Sequence, residues 1–358
     1  MLGVATMSPR SGLAVGLLVA LLAAGCSDPS APAGVGHAAV RTSASATPPD
    51  NGGPGEPLGG LAKYADAVDA AHRHGLAVWL ETDLVTRWRQ GPRALAAGVR
   101  RAAELSTHRG VVGVKIADEL GEDDGLDSRE QVLAFLADAS AALRRVLPRS
   151  SSILVDVVVP ELGCAPGDRR AARYHDACVQ RARQRYPGAT VAVVDALVAS
   201  GTVDVVDLST GLLDPQQYAD WGITRQEAQR AAWREIARLG WSKQVRVHAR
   251  KAMAVPLPFA TADEAAAAVP TYVDVPVAGG AQAVDIWTWC QQYDGARVGL
   301  MDRRLRPNAL WQALLARRAR GVDLLTHFTP SQLQRGLDAD LAAIATVFSG
   351  VFVAAGTG

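Results

Sequence analysis

The stretch that decides the fold is Gly110-Val-Val-Gly-Val-Lys-Ile-Ala-Asp-Glu119. Branched residues fill Val111, Val112, Val114 and Ile116 with almost no polar interruption, the composition of a strand buried on both faces of a parallel sheet. The run stops at two acids, Asp118 and Glu119, and passes into the loop Gly121-Glu-Asp-Asp-Gly125. In an α/β barrel the carboxyl ends of the strands carry the reacting groups, because the following loops build the pocket. The acid pair therefore has two readings, a catalytic position or a solvated strand end.

Outward from this strand, helix and strand patterns alternate. An amphipathic helix over Leu61–His74, stopped by Gly75, leads into a strand over Leu76–Glu81. Further strands are predicted over Ile153–Val159, Val203–Leu208, Gln244–Met253, Ala283–Trp289, Val322–Phe328 and Val351–Ala354. The helices between them cover Pro92–His108, Ser128–Leu147, Thr190–Ala199, Thr224–Leu239, Thr261–Ala278, Pro307–Arg320 and Ser331–Thr346. Thr224 and Glu227 have capping-box spacing, and Thr261–Ala278 must bend near Pro270 or Pro276. A longer insertion, Leu162–Pro187, follows the third strand. Eight strands with helix-sized crossovers give an α/β fold, a (β/α)8 TIM barrel forming one domain over 61–358. Its last strand should close the barrel beside Leu76–Glu81. The competitor, an open doubly wound sheet, would require a Gly-rich phosphate loop, and neither G-x-G-x-x-G nor a Walker motif occurs.

Ahead of the domain, Gly12–Ala24 is apolar and has the length of a signal-peptide core, too short to span a bilayer comfortably. Leu22-Ala-Ala-Gly-Cys26 resembles the lipobox of bacterial lipoproteins. That resemblance implies a signal peptide over 1–25, cleavage before Cys26 and acylation of its thiol, with attachment to the membrane through the lipid alone. An ordinary secretory signal is the alternative. Residues 26–60, rich in Pro, Gly, Ala and Ser, cannot bury enough surface to offset ordering and read as a flexible tether. The expected location is extracytoplasmic, at the cell membrane.

With 49% hydrophobic residues, a formal charge of +1 and no long charge run, the chain lacks the clustered basic face of a nucleic-acid binder. H-E-x-x-H, C-x-x-C and G-x-S-x-G motifs are absent, and His72 and His74 point to different helix faces, so no metal or cofactor is expected. In an exported protein Cys164 and Cys178, both in the one insertion, read as a disulfide, leaving Cys290 as a buried thiol.

The central strand resembles the fourth strand of the clan A glycoside hydrolases, where an Asn-Glu pair ends the strand and the Glu is the acid/base. Val112–Glu119 fits, with Asp118 in the place of the Asn. Tyr64–Glu81 looks like the family's helix, His-Gly and apolar strand, and Ala283–Trp289 resembles its eighth strand, which ends in a Trp under the sugar. The resemblance implies a carbohydrate substrate, Glu119 as general acid/base and Trp289 as a stacking wall. Two departures follow. An ionised Asp118 can only accept hydrogen bonds, and Val245–Arg250 ends in Lys251-Ala-Met without the nucleophile's carboxylate. Glu81 and Glu161, ending the flanking strands, are then the candidates for a second acid. The strand order would make the chain a circular permutation of that family.

Trp287 shares a strand face with Asp285 and Trp289, and Gln291 follows them. His248 and Arg250 alternate with Val245 and Val247, a basic pair suited to an anionic or polyhydroxylated ligand or to an internal salt bridge. Asp118 and Glu119 side by side should raise one pKa of the pair. Two functions are carried forward: an extracytoplasmic glycoside hydrolase acting on an oligo- or polysaccharide, and a non-catalytic glycan-binding or structural barrel. A monomer is expected in either case.

Overall fold

The computed structural model describes residues 58–122, 124–256, 261–293 and 295–354. The segment read as signal peptide, Cys26 and nearly all of the tether lie outside the described residues; the first helix, Leu58–Arg73, starts just inside the stretch read as tether.

Eight parallel strands close a barrel: β1 (Ala77–Glu81), β2 (Val111–Lys115), β3 (Ser152–Val158), β4 (Val205–Ser209), β5 (Arg246–Ala252), β6 (Val284–Trp287), β7 (Leu324–Phe328) and β8 (Gly350–Ala354). Each pairs with its neighbours in sequence, and β8 completes the ring along β1, Ala77 facing Gly350 and Glu81 facing Ala354. This is a (β/α)8 TIM barrel.

The helices form where an apolar stripe meets a cap. In Pro92–Leu105 the buried residues Leu95, Val99, Ala102 and Leu105 recur three or four apart, one stripe laid on the strands. Arg225–Leu239 starts in a reciprocal capping box between Thr224 and Glu227 and ends at left-handed Gly240.

Several boundaries differ from the sequence reading for local reasons. β2 ends at Lys115, so Asp118 and Glu119 belong to the loop after it. Asn308, whose side chain accepts from the Trp311 amide, caps the helix Ala309–Arg318 and leaves Pro307 outside it. The last helix begins only at Leu337, because the Asp340 carboxylate takes the amides of Gln334 and Arg335 and holds the preceding residues as a loop. The two prolines divide 261–278 into a helix, a π turn over Pro270–Asp274 and a final helical turn. The Leu162–Pro187 insertion contains the helix Ala172–Arg185, and within it Cys178 is joined to Cys164 (S–S 2.03 Å); Cys290 is a buried free thiol.

Two cores result. The larger lies between strands and helices. The smaller fills the barrel itself: Trp79, Leu154, Val205, Ala283, Leu325 and Phe352 form an apolar plug, with Trp79 stacked on Phe352 at 6.1 Å between ring centroids. Gly113 makes room for it, since a Cβ there would stand 2.4 Å from the Trp79 ring and 2.3 Å from the Ser152 carbonyl oxygen. Gly113→Ala should therefore destabilise the barrel by about 1–3 kcal/mol, the usual cost of overpacking. A lowered urea midpoint is the expected result, and an unchanged midpoint would show that the plug has slack.

Candidate active site

Two residues beyond the plug, side chains again face the interior by the period-two rule, and on every strand but β8, where Ala354 follows Phe352, they are ionisable. Trp79 gives way to Glu81, Gly113 to Lys115, Leu154 to Asp156, Val205 to Asp207, Ala283 to Asp285 and Leu325 to His327. β5 contributes His248 and then Arg250.

Lys115 is wholly buried, with its Nζ 2.8 Å from Glu81 Oε1, 2.7 Å from Asp118 Oδ1 and 3.2 Å from Asp156 Oδ2. Arg250 contacts Asp118 Oδ1 at 3.1 Å, Glu119 Oε1 at 2.8 Å and Asp156 Oδ2 at 2.9 Å, and its Nε lies 3.9 Å from Asp285 Oδ2. His327 joins the two sides, Nδ1 being 3.0 Å from Glu81 Oε2 and Nε2 2.8 Å from Asp285 Oδ2. The contacts close a ring of alternating charge: Lys115, Glu81, His327, Asp285, Arg250, Asp118.

The ring fixes protonation states. Burial disfavours a charge on His327, but Asp285 and Glu81 on its two nitrogens outweigh this and raise its pKa to about 9. Both nitrogens can then donate. Burial likewise opposes an ionised Glu81, yet His327 and Lys115 hold its pKa at about 2. Asp118 is depressed well below the carboxylate range by Lys115 and Arg250 against burial. Its side chain is 58% exposed, so water screens these pairs more than those inside the barrel. Deeper in, burial raises Asp156 well above its ordinary value despite Arg250 and Lys115, and burial with the charges of Asp285 and Asp156 does the same to Asp207. Asp156 is near both cations but outside hydrogen-bond geometry, and neither Asp207 oxygen has a hydrogen-bond partner.

Glu119 is placed by the turn after β2. The Leu120 amide donates to the Asp156 carbonyl at 2.9 Å, and the Asp124 carboxylate accepts from the amides of Gly121 and Leu126 at 3.0 and 2.9 Å. Glu119 itself has φ 49°, a left-handed conformation that costs a non-glycine residue roughly 1–2 kcal/mol. Its side chain is 45% exposed and reaches Arg250.

Of the residues singled out in the sequence, Glu81, Asp118, Glu119 and Arg250 come together, with Arg250 consumed by ion pairs. Glu161 does not join them. It is buried beside the helix Val191–Ser200, where Oε2 accepts from Arg183 Nε at 2.9 Å and Oε1 from the Val191 amide at 2.9 Å. Trp289 is fully buried, donates from Nε1 to Asp340 at 3.1 Å and packs edge-on to Trp311, so it presents no face to a ligand. Trp287, at the end of β6, is partly exposed and stands edge-on to Tyr293. His248 is buried against Trp79, and burial lowers its pKa to about 4, so it is neutral at pH 7 and out of reach of the mouth. Gln291 sits opposite Val298 in a small antiparallel sheet made of Val255–Pro256, Cys290–Tyr293 and Ala296–Gly299, and no described contact ties it to the ring. The raised carboxyls inside the barrel are Asp156 and Asp207, whereas Asp118 is lowered because Lys115 and Arg250 both contact it. Lys115, Asp156 and His327 escaped the sequence reading; the signal was one ionisable residue at an inward register position of β2, β3 and β7.

Two surface cavities lie elsewhere. One of about 620 Å³ is lined by Arg230, Trp233, Arg234, Pro270 and Val275, and one of about 520 Å³ lies by Ser152, Asp204 and Arg246 at the amino ends of the strands. The perturbed ionisable groups and the carboxyl-end position, not cavity size, single out the barrel mouth.

No protein-family model matches the chain. No curated protein matches it either. Among solved structures, methylaspartate ammonia lyase from Clostridium tetanomorphum aligns over 79% of this chain and 54% of its own length, at 12% identity and a TM-score of 0.41, so the chain spans about half of that enzyme. A β-glycosidase aligns at 14% identity over 82% of this chain and 76% of its own, with a TM-score of 0.34. A β-glucosidase from Pyrococcus furiosus does so at 12% identity over 82% and 75%, with a TM-score of 0.33. These are likenesses of fold, and no activity is drawn from them.

The ring sets how stability depends on pH. A folded pKa of about 9 for His327, above the ordinary 6.5, means that its stabilisation is complete below pH 6.5 and is lost as pH rises through 9. Glu81 acts in the opposite sense, stabilising above its ordinary 4.5 and ceasing to as pH falls through about 2. Asp156 and Asp207 also tilt the curve downward with rising pH, so the histidine is read from the difference between wild type and His327→Gln, which includes what Glu81 and Asp285 lose with their partner. Urea midpoints measured from about pH 5 to 10 should converge for the two proteins at the alkaline end. A constant gap across that range would contradict the assignment.

Proposed function

We propose that the barrel mouth is the active site of a glycoside hydrolase acting on an oligo- or polysaccharide, with Glu119 as general acid/base. The observation that carries this reading is Glu119 itself: a half-exposed carboxylate at the carboxyl end of the barrel, on a left-handed residue, oriented by Arg250. Strain of that kind persists where the surroundings over-determine it and gathers at functional positions. In this reading Glu119, as general acid, passes a proton to the departing glycosidic oxygen. The ionised carboxylates of Glu81 and Asp118 balance the positive charge that develops at the anomeric carbon, water adds to that carbon as the glycosidic bond breaks, and the proton it releases restores Glu119. Glu81 is the second acid, and Trp287 takes the role first given to Trp289, since an apolar sugar face suits a partly exposed aromatic ring. The same proposal places the domain outside the cytoplasm, tethered through a lipid on Cys26.

One observation favours the second reading, a glycan-binding barrel without catalysis: Glu81, Asp118, Glu119 and Asp285 are each already paired with a cation. A panel of chromogenic glycosides and polysaccharides separates the two. On any substrate that wild type cleaves, Glu119→Gln should lower kcat by about 10² or more with little change in KM, as loss of general acid–base catalysis does. An unchanged rate would remove Glu119 from the mechanism. Retention of glycans by a wild type that cleaves none of them would favour the binding reading.

A further inference from the structure

Lys251 follows Arg250 on β5 but points the other way by the period-two rule, sharing its register with outward-facing Ile286. It is half-buried, and among the described residues no carboxylate pairs with it. Its Nζ lies 5.0 Å from the centroid of the Tyr272 ring. Tyr272, on the π turn, is 8% exposed, and its hydroxyl lies near the Arg225 guanidinium with no hydrogen-bond partner in acceptable geometry. Arg225 donates from Nε and Nη2 to Leu213 O at 3.1 and 2.7 Å, and among the described residues no carboxylate pairs with it.

A cation with no counter-anion, two guanidiniums nearby and a buried hydroxyl without a partner is an incomplete arrangement, since an uncompensated buried charge costs free energy. An anion supplied from outside would complete it. Burial, then the charges of Arg225 and Arg250, bring the Lys251 pKa down to about 8, with Glu119 alone opposing. The group is thus cationic at neutral pH, its charge disfavoured first by burial and then by the two guanidiniums.

We infer that Lys251, Arg225 and the Tyr272 hydroxyl form a subsite for an anionic group on the ligand, so that the glycan taken at this mouth is an acidic one, bearing a carboxylate or a sulfate ester. That it is a glycan rests on the reading of the preceding subsection; that it is anionic does not. Lys251 faces the opposite side of β5 from Arg250 but feels the charge of Glu119, so the subsite belongs to the rim of the mouth, outside the ring, where it would hold an acidic residue of the glycan chain.

Calorimetric titration of wild type near pH 6.5 with glucuronate, galacturonate and glucose 6-sulfate, and with glucose as the neutral control, tests the inference. At least one anion should bind about tenfold or more tightly than glucose, the scale of a charge-assisted hydrogen bond. The uronates and the sulfate ester distinguish which anion the subsite prefers. Lys251→Met should abolish the preference, Lys251→Arg should keep most of it, and Tyr272→Phe should reduce it. Raising the pH through about 8 should weaken binding as Lys251 loses its proton, the facing groups being Arg225, Tyr272, Arg250 and Glu119. Equal binding of anions and glucose by wild type, or an intact preference in Lys251→Met, would overturn the inference. Glu119→Gln should retain the preference, so loss of the hydrolase reading and loss of the subsite give different results.

Discussion

The interaction on which the rest depends is the ammonium of Lys115, wholly buried at the centre of the barrel mouth. Taking such a charge out of water costs several kcal/mol, and only good geometry to counter-charges recovers it. Glu81, Asp118 and Asp156 supply those charges from β1, the loop after β2 and β3. Below, the Phe352 ring of the apolar plug lies 5.5 Å from the ammonium. Lys115 thereby fixes the height of the plug, the register of its neighbouring strands and the position of the loop that carries Glu119.

A single rule, alternation along a strand, yields both layers of the interior. Positions at one inward level are mostly apolar and close the floor; those at the next are mostly ionisable and line the mouth. Removing one member of the ring would leave the remainder unbalanced, because Glu81, Asp118 and Asp285 are each shared between two cations and each cation between acids. The mouth is therefore better regarded as one electrostatic unit than as a set of separate ion pairs.

The fold was legible because strand order depends on patterns that a sequence carries directly. Runs such as Ile153–Val159, helix caps such as Thr224 with Glu227, and helix-sized spacings announce a barrel without tertiary information. The site was legible at Glu81, Asp118, Glu119 and Arg250, which end strands or follow them. Trp289 and Glu161 misled because both end a predicted strand, yet each turns into the helical layer to meet Asp340 or Arg183. Which way a residue turns just past a strand is decided by the loop, not by the strand's period. Lys115 was passed over because a lysine inside an apolar strand becomes meaningful only when the acids of β1 and β3 are seen around it.

The alternation of sign around the mouth also bears on how a ligand arrives. Charges of opposite sign set a few ångströms apart cancel one another at longer range, and salt damps what is left within about 8–10 Å. A neutral chain would thus be captured by contact, at a rate that ionic strength scarcely alters. Lys251 and Arg225 stand outside that balanced ring, and among the described residues no carboxylate pairs with either. An approaching molecule would first be oriented from β5's outer side, and only afterwards tested against Glu119.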